Sequence, residues 1–160
     1  MPLATPLEEP RYELIGGEAR MMTKMDVNHS IVAGTLACII GNYLRGKKSH
    51  VFGRVCVILD DNNQYIPDLV IVCNKKKLRP NGIYGAPDLV VEVLSPSTAR
   101  NDKGHKRKAY ERCGVREYWI VDPANRAVEQ YVLVDGEFVL RDVYTQYPAD
   151  EIEDMTEADQ

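Results

Sequence analysis

The chain has 160 residues, enough for one domain whose core needs no disulfide bridges. Hydrophobic residues make up 44% of it and charged residues 28%, a balance that excludes wholesale disorder. The net charge is −4, but six acidic residues lie within 149–160, and the other 20 basic and 18 acidic residues sum to +2. Overall charge therefore excludes general polyanion binding and leaves room for a local basic patch.

The elements predicted along the chain alternate between strands and helices. Residues 1–10 contain three prolines and form an irregular lead-in. Two short runs around Gly16-Gly17 predict a first β-hairpin, and Asp135-Gly136 between two β-rich runs predicts a last one. Apolar residues recur at helical spacing, at 31, 32, 36, 39, 40, 43 and 44, and predict a helix, and Gly46 lies just past its end. The predicted elements are hairpin strands at 12–15 and 18–22, a helix at 28–45, strands at 51–59, 66–73, 87–94 and 117–122, a helix at 101–113, and hairpin strands at 128–134 and 138–143.

Three central runs, 69–72, 89–94 and 118–121, are apolar on both faces, which is typical of strands covered on both sides. The helix between the last two supplies a crossover between neighbouring strands. The pattern predicts an α/β fold with a mixed β-sheet flanked by helices and a β-hairpin near each end. We expect a single domain over 11–148, followed by an acidic tail over 149–160.

The four cysteines are too widely spaced for a Cys-x-x-Cys zinc motif, and each has apolar neighbours. We therefore expect buried, reduced thiols in a cytoplasmic protein. The longest apolar run, 31–40, is far shorter than the roughly 18 residues of a membrane span, so no membrane contact is expected.

Glu92 is the anomaly in this pattern, because it stands inside the apolar run 89–94. A buried carboxylate costs several kcal/mol unless a metal, a cation or a proton compensates it. Asp88 lies four residues away on the same strand, roughly 13 Å, which is too far to share an ion. Asp68 opens the preceding central strand and could converge with Glu92 on Mg²⁺, with the Val93 carbonyl as a further ligand.

Lys106 lies on the packing side of the following helix, together with Ala109, Tyr110 and Cys113. A lysine near two carboxylates and a metal could position a water or steady the charge of a transition state. Each residue also has a plain structural interpretation: Lys106 as a surface ion pair with Asp102, Asp68 as turn chemistry, and Glu92 as an exposed residue of an edge strand.

The order Asp68, Glu92, Lys106 resembles the PD-(D/E)XK nuclease superfamily and, more closely, the Uma-type family of bacterial restriction-endonuclease-like proteins. The segment Val-Glu-Val-Leu-Ser-Pro-Ser at 91–97 is highly specific to that family. The resemblance covers roughly residues 10–145. The matching blocks are 12–18, His29, 67–72, 87–98, Arg100, Asp102, Lys106, Tyr110 and 114–123.

This resemblance implies hydrolysis of DNA phosphodiester bonds with Mg²⁺ or Mn²⁺ held by Asp68, Glu92 and Val93. The superfamily's lysine normally stands two residues after the second acid, where this chain has Leu94, so its role falls to Lys106. Glu18 is a candidate additional acid, with an exposed hairpin residue as the alternative.

Contacts to the substrate must come from local basic clusters, either of which could also be ordinary solvated surface. A homodimer is expected, since cutting both strands of a duplex takes two sites. The competing function is a catalytically silent nuclease-fold protein that binds nucleic acid or a protein partner. The candidate substrate-binding residues are Arg100, Lys103, Arg107, Lys75 and Lys76.

Overall fold

Two six-stranded sheets and two α-helices form the computed structural model, which describes residues 11–95 and 102–145, with the side chains of 102 and 103 excepted. The expectations for the lead-in 1–10, for Arg100 and for the acidic tail 149–160 lie outside the described residues. The helical segments are α1 (Val27–Leu44), a 3₁₀ turn (Lys75–Lys77), a π-helical turn (Asp102–Lys106) and α2 (Arg107–Cys113). The strands are β1 (Tyr12–Ile15), β2 (Glu18–Met21), β3 (His50–Gly53), β4 (Val57–Asp60), β5 (Asn63–Tyr65), β6 (Leu69–Val72), β7 (Leu78–Arg79), β8 (Gly82–Tyr84), β9 (Leu89–Val93), β10 (Glu117–Asp122), β11 (Ala127–Val134) and β12 (Glu137–Thr145).

The strands divide between a first sheet in the order β2-β1-β5-β4-β8-β7 and a second in the order β12-β11-β10-β9-β6-β3. The mixed α/β class is confirmed, and the single sheet expected from the sequence is wrong. The predicted strand 51–59 is split because Arg54 takes a left-handed φ of 49°, which ends β3 and turns the chain into the first sheet. The predicted strand 66–73 begins only at Leu69, and β5 of the first sheet ends just before it, at Tyr65.

The second sheet has its most buried strand, β9, between antiparallel β6 and parallel β10. One face of this sheet packs with α2 and the first sheet in a core that contains Val90, Tyr110 and Tyr118. The opposite face packs with α1 in a second cluster that contains Val91 and Ile40. Apolar residues on both faces of β9 therefore separate two cores, as the sequence predicts.

Helix α1 begins at Asp26, whose carboxylate accepts a hydrogen bond of 2.7 Å from the His29 amide. His29 and Ile40 are its fully buried residues. The helix predicted from the apolar spacing is confirmed, although Ile31, Ile39 and Tyr43, three of the residues in that spacing, are exposed. By length and composition alone α1 could also cross a membrane, in contrast to the sequence expectation; its inner side, however, lies on the second sheet.

The cysteines also differ from their expected burial. Cys38 on α1 and Cys73 after β6 are exposed, and Cys56 and Cys113 are half-buried. None of the four forms a disulfide. Apolar sequence neighbours do not ensure that a cysteine is buried. Cys73 follows the end of β6, and Cys38 lies on the outer side of α1.

Candidate active site

A cavity of about 300 Å³ opens at the edge of the second sheet, where β6 begins and β9 ends. Buried charged groups are rare in proteins, yet this cavity gathers four of them and a histidine. They come from five separate elements of the chain. The polar residues lining its floor are Glu13, His29, Asp68, Glu92 and Lys106.

Asp68 and Glu92 share one face of the sheet. The antiparallel register pairs Leu69 with Val91, so one further step sets Asp68 opposite Glu92. The Val93 amide donates a hydrogen bond of 2.7 Å to Asp68 Oδ2, which anchors this carboxylate to the end of β9. Two carboxylates on rigid neighbouring strands are thereby held at one end of the cavity.

Lys106 lies on the inner side of its helix and points into the same cavity. Its Nζ donates to Glu13 Oε1 at 2.9 Å and to Glu92 Oε1 at 3.3 Å. The hydroxyl of Tyr110, one helical turn later, donates to Glu92 Oε1 at 2.9 Å. Burial of Tyr110 and Ala109 against the second sheet fixes the helix in this orientation. Burial and the contact with Glu92 raise the pKa of Tyr110 well above 10.0, so it remains a donor.

Glu13 is a site residue that the sequence analysis missed, because it chose Glu18. Glu18 belongs to the edge strand β2, and its side chain is exposed beside Arg20. Glu13 lies on inner strand β1, and besides Lys106 it accepts a hydrogen bond of 2.9 Å from the Ile66 amide. Period-2 alternation could have revealed it, since Glu13 shares a strand face with the buried Ile15.

His29 is the second missed residue, since the sequence gave it no role beyond a family match. Its Nε2 lies 2.9 Å from the Val93 carbonyl oxygen and 3.3 Å from Asp68 Oδ2, so this nitrogen carries a proton. The hydrogen bond with Asp68 raises the pKa of His29 above 6.5, although burial opposes the shift. Its Nδ1 is buried, and no group among the described residues forms a hydrogen bond with it. The Val93 carbonyl, expected as a metal ligand, is therefore engaged by His29 in this structure.

The carboxylates of this cavity suit a divalent cation. Three carboxylates face one lysine and one histidine, an excess of negative charge that favours a cation. Within 11–95 and 102–145, no group of three His, Cys, Asp or Glu side chains is arranged to enclose a metal ion. Mg²⁺ needs no such cage, because it keeps several waters and takes one or two carboxylates. Asp68 and Glu92 therefore fit Mg²⁺ or Mn²⁺.

Three of the candidate substrate-binding residues, Lys75, Lys76 and Arg107, have described side chains, and none of these three lines the cavity. Lys75 and Lys76 are exposed beyond the end of β6, whereas the cavity lies where that strand begins. The Arg107 guanidinium lies 4.3 Å above the ring of Tyr131 on β11. The side chain of Lys103 is outside the described part of the chain, as is Arg100.

Comparison with known proteins agrees with this architecture. The family model Uma2, described as "Putative restriction endonuclease", matches residues 3–158. The uncharacterized protein slr1290 of Synechocystis is 27% identical over 139 residues, which are 86% of this chain and 67% of that protein. The uncharacterized protein sll1609, also of Synechocystis, is 24% identical over 139 residues, which cover 83% of this chain and 78% of that protein. A crystal structure of "a putative nuclease belonging to DUF820" from Anabaena variabilis has a TM-score of 0.71 at 19% identity, covers 93% of this chain and 88% of its own, and shows that the fold is shared.

Proposed function

Because this chain belongs to the Uma2 family, we propose that it is an endonuclease that hydrolyses DNA phosphodiester bonds with Mg²⁺ or Mn²⁺. The observation that carries the proposal is the buried charge cluster at the end of β6 and β9. A core built for stability alone would avoid burying three carboxylates, a lysine and a histidine together. Such clusters persist where chemistry requires them.

In the proposed reaction Asp68 and Glu92 hold the metal from two adjacent strands. When bound, the metal would lower the pKa of a water and polarise the scissile phosphate. The Val93 amide keeps Asp68 in place, and the Tyr110 hydroxyl does the same for Glu92. Neither carboxylate needs to reorganise when substrate enters, which is the condition for strong electrostatic stabilisation.

Lys106 supplies the positive charge that the phosphate needs as negative charge develops on it. Glu13, 2.9 Å away, holds the buried ammonium beside Glu92 and balances its charge before substrate arrives. Lys106 thus supplies from a helical segment the ammonium group that Leu94, at the superfamily's usual lysine position, lacks. His29, protonated at Nε2, restrains the Val93 carbonyl and Asp68 from the other side.

One observation favours a second candidate function, the catalytically silent nucleic-acid- or protein-binding module. The Val93 carbonyl is taken by His29, and Lys106 bridges Glu13 and Glu92 in a closed network. Ion pairs and hydrogen bonds that form without a metal could have a purely structural role. The two candidates differ in whether added metal changes the protein at all.

The test uses supercoiled plasmid incubated with wild type and Glu92→Gln, each with Mg²⁺, Mn²⁺ or chelator. We expect metal-dependent nicking or cutting by wild type and a loss of at least about 100-fold in the variant, as for removal of one key electrostatic group. Glu18→Gln is the matched control, because Glu18 is exposed outside the cavity and should leave activity unchanged. Equal cleavage by wild type and Glu92→Gln would refute the assignment. Failure of wild type on a mixed library of DNA sequences, with no metal binding by calorimetry, would favour the silent module.

A further inference from the structure

Two cations at the candidate active site, Lys24 and Arg54, form no ion pair within the described part of the chain, whereas Lys106 is held by two carboxylates. Lys24 is exposed and lines the cavity, on the segment between β2 and α1. Arg54, between β3 and β4, is half-buried, and its Nη1 donates to the sulfur of Met25, which lines the same cavity. These two side chains are therefore available to bind an anion.

The guanidinium of Arg54 is poorly satisfied in this position. Its Nε is buried, and no group among the described residues accepts a hydrogen bond from it. Its Nη1 donates to a thioether, which is a weak acceptor. Buried donors are nearly always paired in proteins, so an unpaired one calls for an explanation. A phosphate would supply the missing acceptors, since a planar guanidinium binds phosphate through two parallel hydrogen bonds.

The fold holds Arg54 next to the carboxylates that could bind a metal. Just past the end of β3, the Arg54 amide donates a hydrogen bond of 3.3 Å to the Asp68 carbonyl. Strands β3, β6 and β9 are neighbours, so they carry Arg54, Asp68 and Glu92 in that order, and Lys106 contacts Glu92 at the far end. The pKa of His29 reflects the same proximity: the hydrogen bond with Asp68 raises it, burial lowers it, and the charge of Arg54 also lowers it. A cation therefore lies on each side of the two carboxylates.

The backbone of Arg54 also favours a functional role for this residue. Its φ of 49° lies in the left-handed region, which a residue other than glycine adopts at a cost in free energy. Arg126 and Asp135 have similar angles, but both lie in the turns that connect hairpin strands, where such angles are common. Arg54 instead joins strands of two different sheets. Backbone strain that no turn explains clusters at sites that bind ligands.

We propose that Arg54 and Lys24 bind backbone phosphates of a DNA strand, next to the phosphate that is cleaved, and this inference rests on the endonuclease function proposed above. Arg54 holds a phosphate on the Asp68 side of the metal-binding pair, while Lys106 lies on the Glu92 side. Contacts to phosphates carry no information about the bases, so the two cations orient the strand without selecting a sequence. They are positioning residues for the proposed reaction.

Binding of a phosphate requires only a small change at Arg54. Met25 has three rotatable bonds, so its sulfur can leave the guanidinium while the backbone stays in place. The phosphate oxygen that replaces the sulfur is charged and accepts a stronger hydrogen bond. Lys24 precedes Met25 and is exposed, so it meets a second phosphate at the open side of the cavity. Two cations on separate segments match the repeating charge of a strand better than that of a single small anion.

The experiment measures how salt weakens the binding of a fluorescent DNA duplex to the full chain, by anisotropy, with chelator or Ca²⁺ in place of Mg²⁺. The logarithm of the affinity falls with the logarithm of salt concentration, with a slope of about −0.9 for each phosphate contacted. We expect Arg54→Gln and Lys24→Gln each to reduce this slope by about 0.9, equally on two unrelated sequences. Arg54→Lys should keep the slope but bind more weakly than wild type, because lysine keeps the charge and lacks the planar fork. Arg79→Gln is the matched control: Arg79 is exposed on β7, at the opposite edge of the first sheet from β2, so the slope should not change.

Plasmid cleavage in Mg²⁺ by the same variants separates this proposal from the endonuclease function. If wild type cleaves and both variants keep the wild-type salt slope, the phosphate contacts are overturned and the endonuclease function is not. If wild type never cleaves but the variants lose slope as expected, the phosphate contacts are supported and the endonuclease function fails. Lys24 is exposed, so Lys24→Gln gives an answer even if Arg54→Gln folds poorly. Wild type that does not bind DNA would overturn the proposal, as would inorganic phosphate whose binding, measured by calorimetry, depends on Arg54 while DNA binding does not.

Discussion

Replacement of Lys106 by methionine tests the charge cluster without relying on any activity. Methionine keeps much of the aliphatic stem and removes the ammonium, which is 2.9 Å from Glu13 and 3.3 Å from Glu92. Lys106 is 4% exposed, so water cannot replace it. Removing one partner of a buried ion pair typically costs 3–5 kcal/mol, because the remaining charge is left uncompensated. We expect a loss of about 3–5 kcal/mol in the free energy of unfolding at pH 7 in chelator.

A divalent cation gives a second readout of the same charge balance. Added Mg²⁺ should stabilise the variant more than wild type, since the cavity is then more negative. Urea unfolding followed by circular dichroism measures both effects.

Lys108→Met is the matched control, because Lys108 lies only two residues further along, at the start of α2, and is exposed. Surface substitutions of this kind stay within about 0.5 kcal/mol. If Lys106→Met were as stable as Lys108→Met, the buried charge balance described above would be refuted.

Three further changes have defined outcomes. Tyr110→Phe should cost about 1–3 kcal/mol in urea unfolding, since Glu92 loses a buried 2.9 Å donor; an unchanged midpoint would contradict this. The pKa of His29 is raised in the folded protein, so its stabilisation is complete below 6.5 and is lost as pH rises through the raised value; the gap in stability between wild type and His29→Phe should be wider at pH 6 than at pH 9. Burial tends to raise the pKa of Asp60, but hydrogen bonds, led by that from Arg112, outweigh it and lower it to about 2, so thermal melts of Arg112→Ala should fall below wild type above pH 4 and converge with it near pH 2.

The sequence predicts those site residues whose orientation depends only on the strand or helix that carries them. Glu92 stands out inside an apolar strand, Asp68 opens the neighbouring strand, and helical spacing turns Lys106 inward. These signals need only a strand period, a helix period and the distance between strands.

Glu13 and His29 could not be found in this way, because tertiary packing decides their burial. Glu13 becomes a site residue only when the first sheet packs against the helix that carries Lys106, 93 residues away. The split of 51–59 between two sheets depends on one backbone angle at Arg54, which no hydrophobic pattern records. The exposure of Ile31, Ile39 and Tyr43 on α1 has a related cause, because apolar spacing predicts a helix but does not determine which of its apolar residues the rest of the fold covers.

The sequence separation between contacting residues of the site determines how much of the chain must be synthesised before the site can form. Lys106 meets Glu13 across 93 residues, and His29 meets Val93 across 64. Lys106 can therefore reach Glu13 only after synthesis has passed residue 106. Premature termination before that residue would leave a fragment that has the carboxylates of Glu13, Asp68 and Glu92 but lacks the ammonium group. If the proposed function holds, such a fragment would lack the positive charge that the scissile phosphate needs.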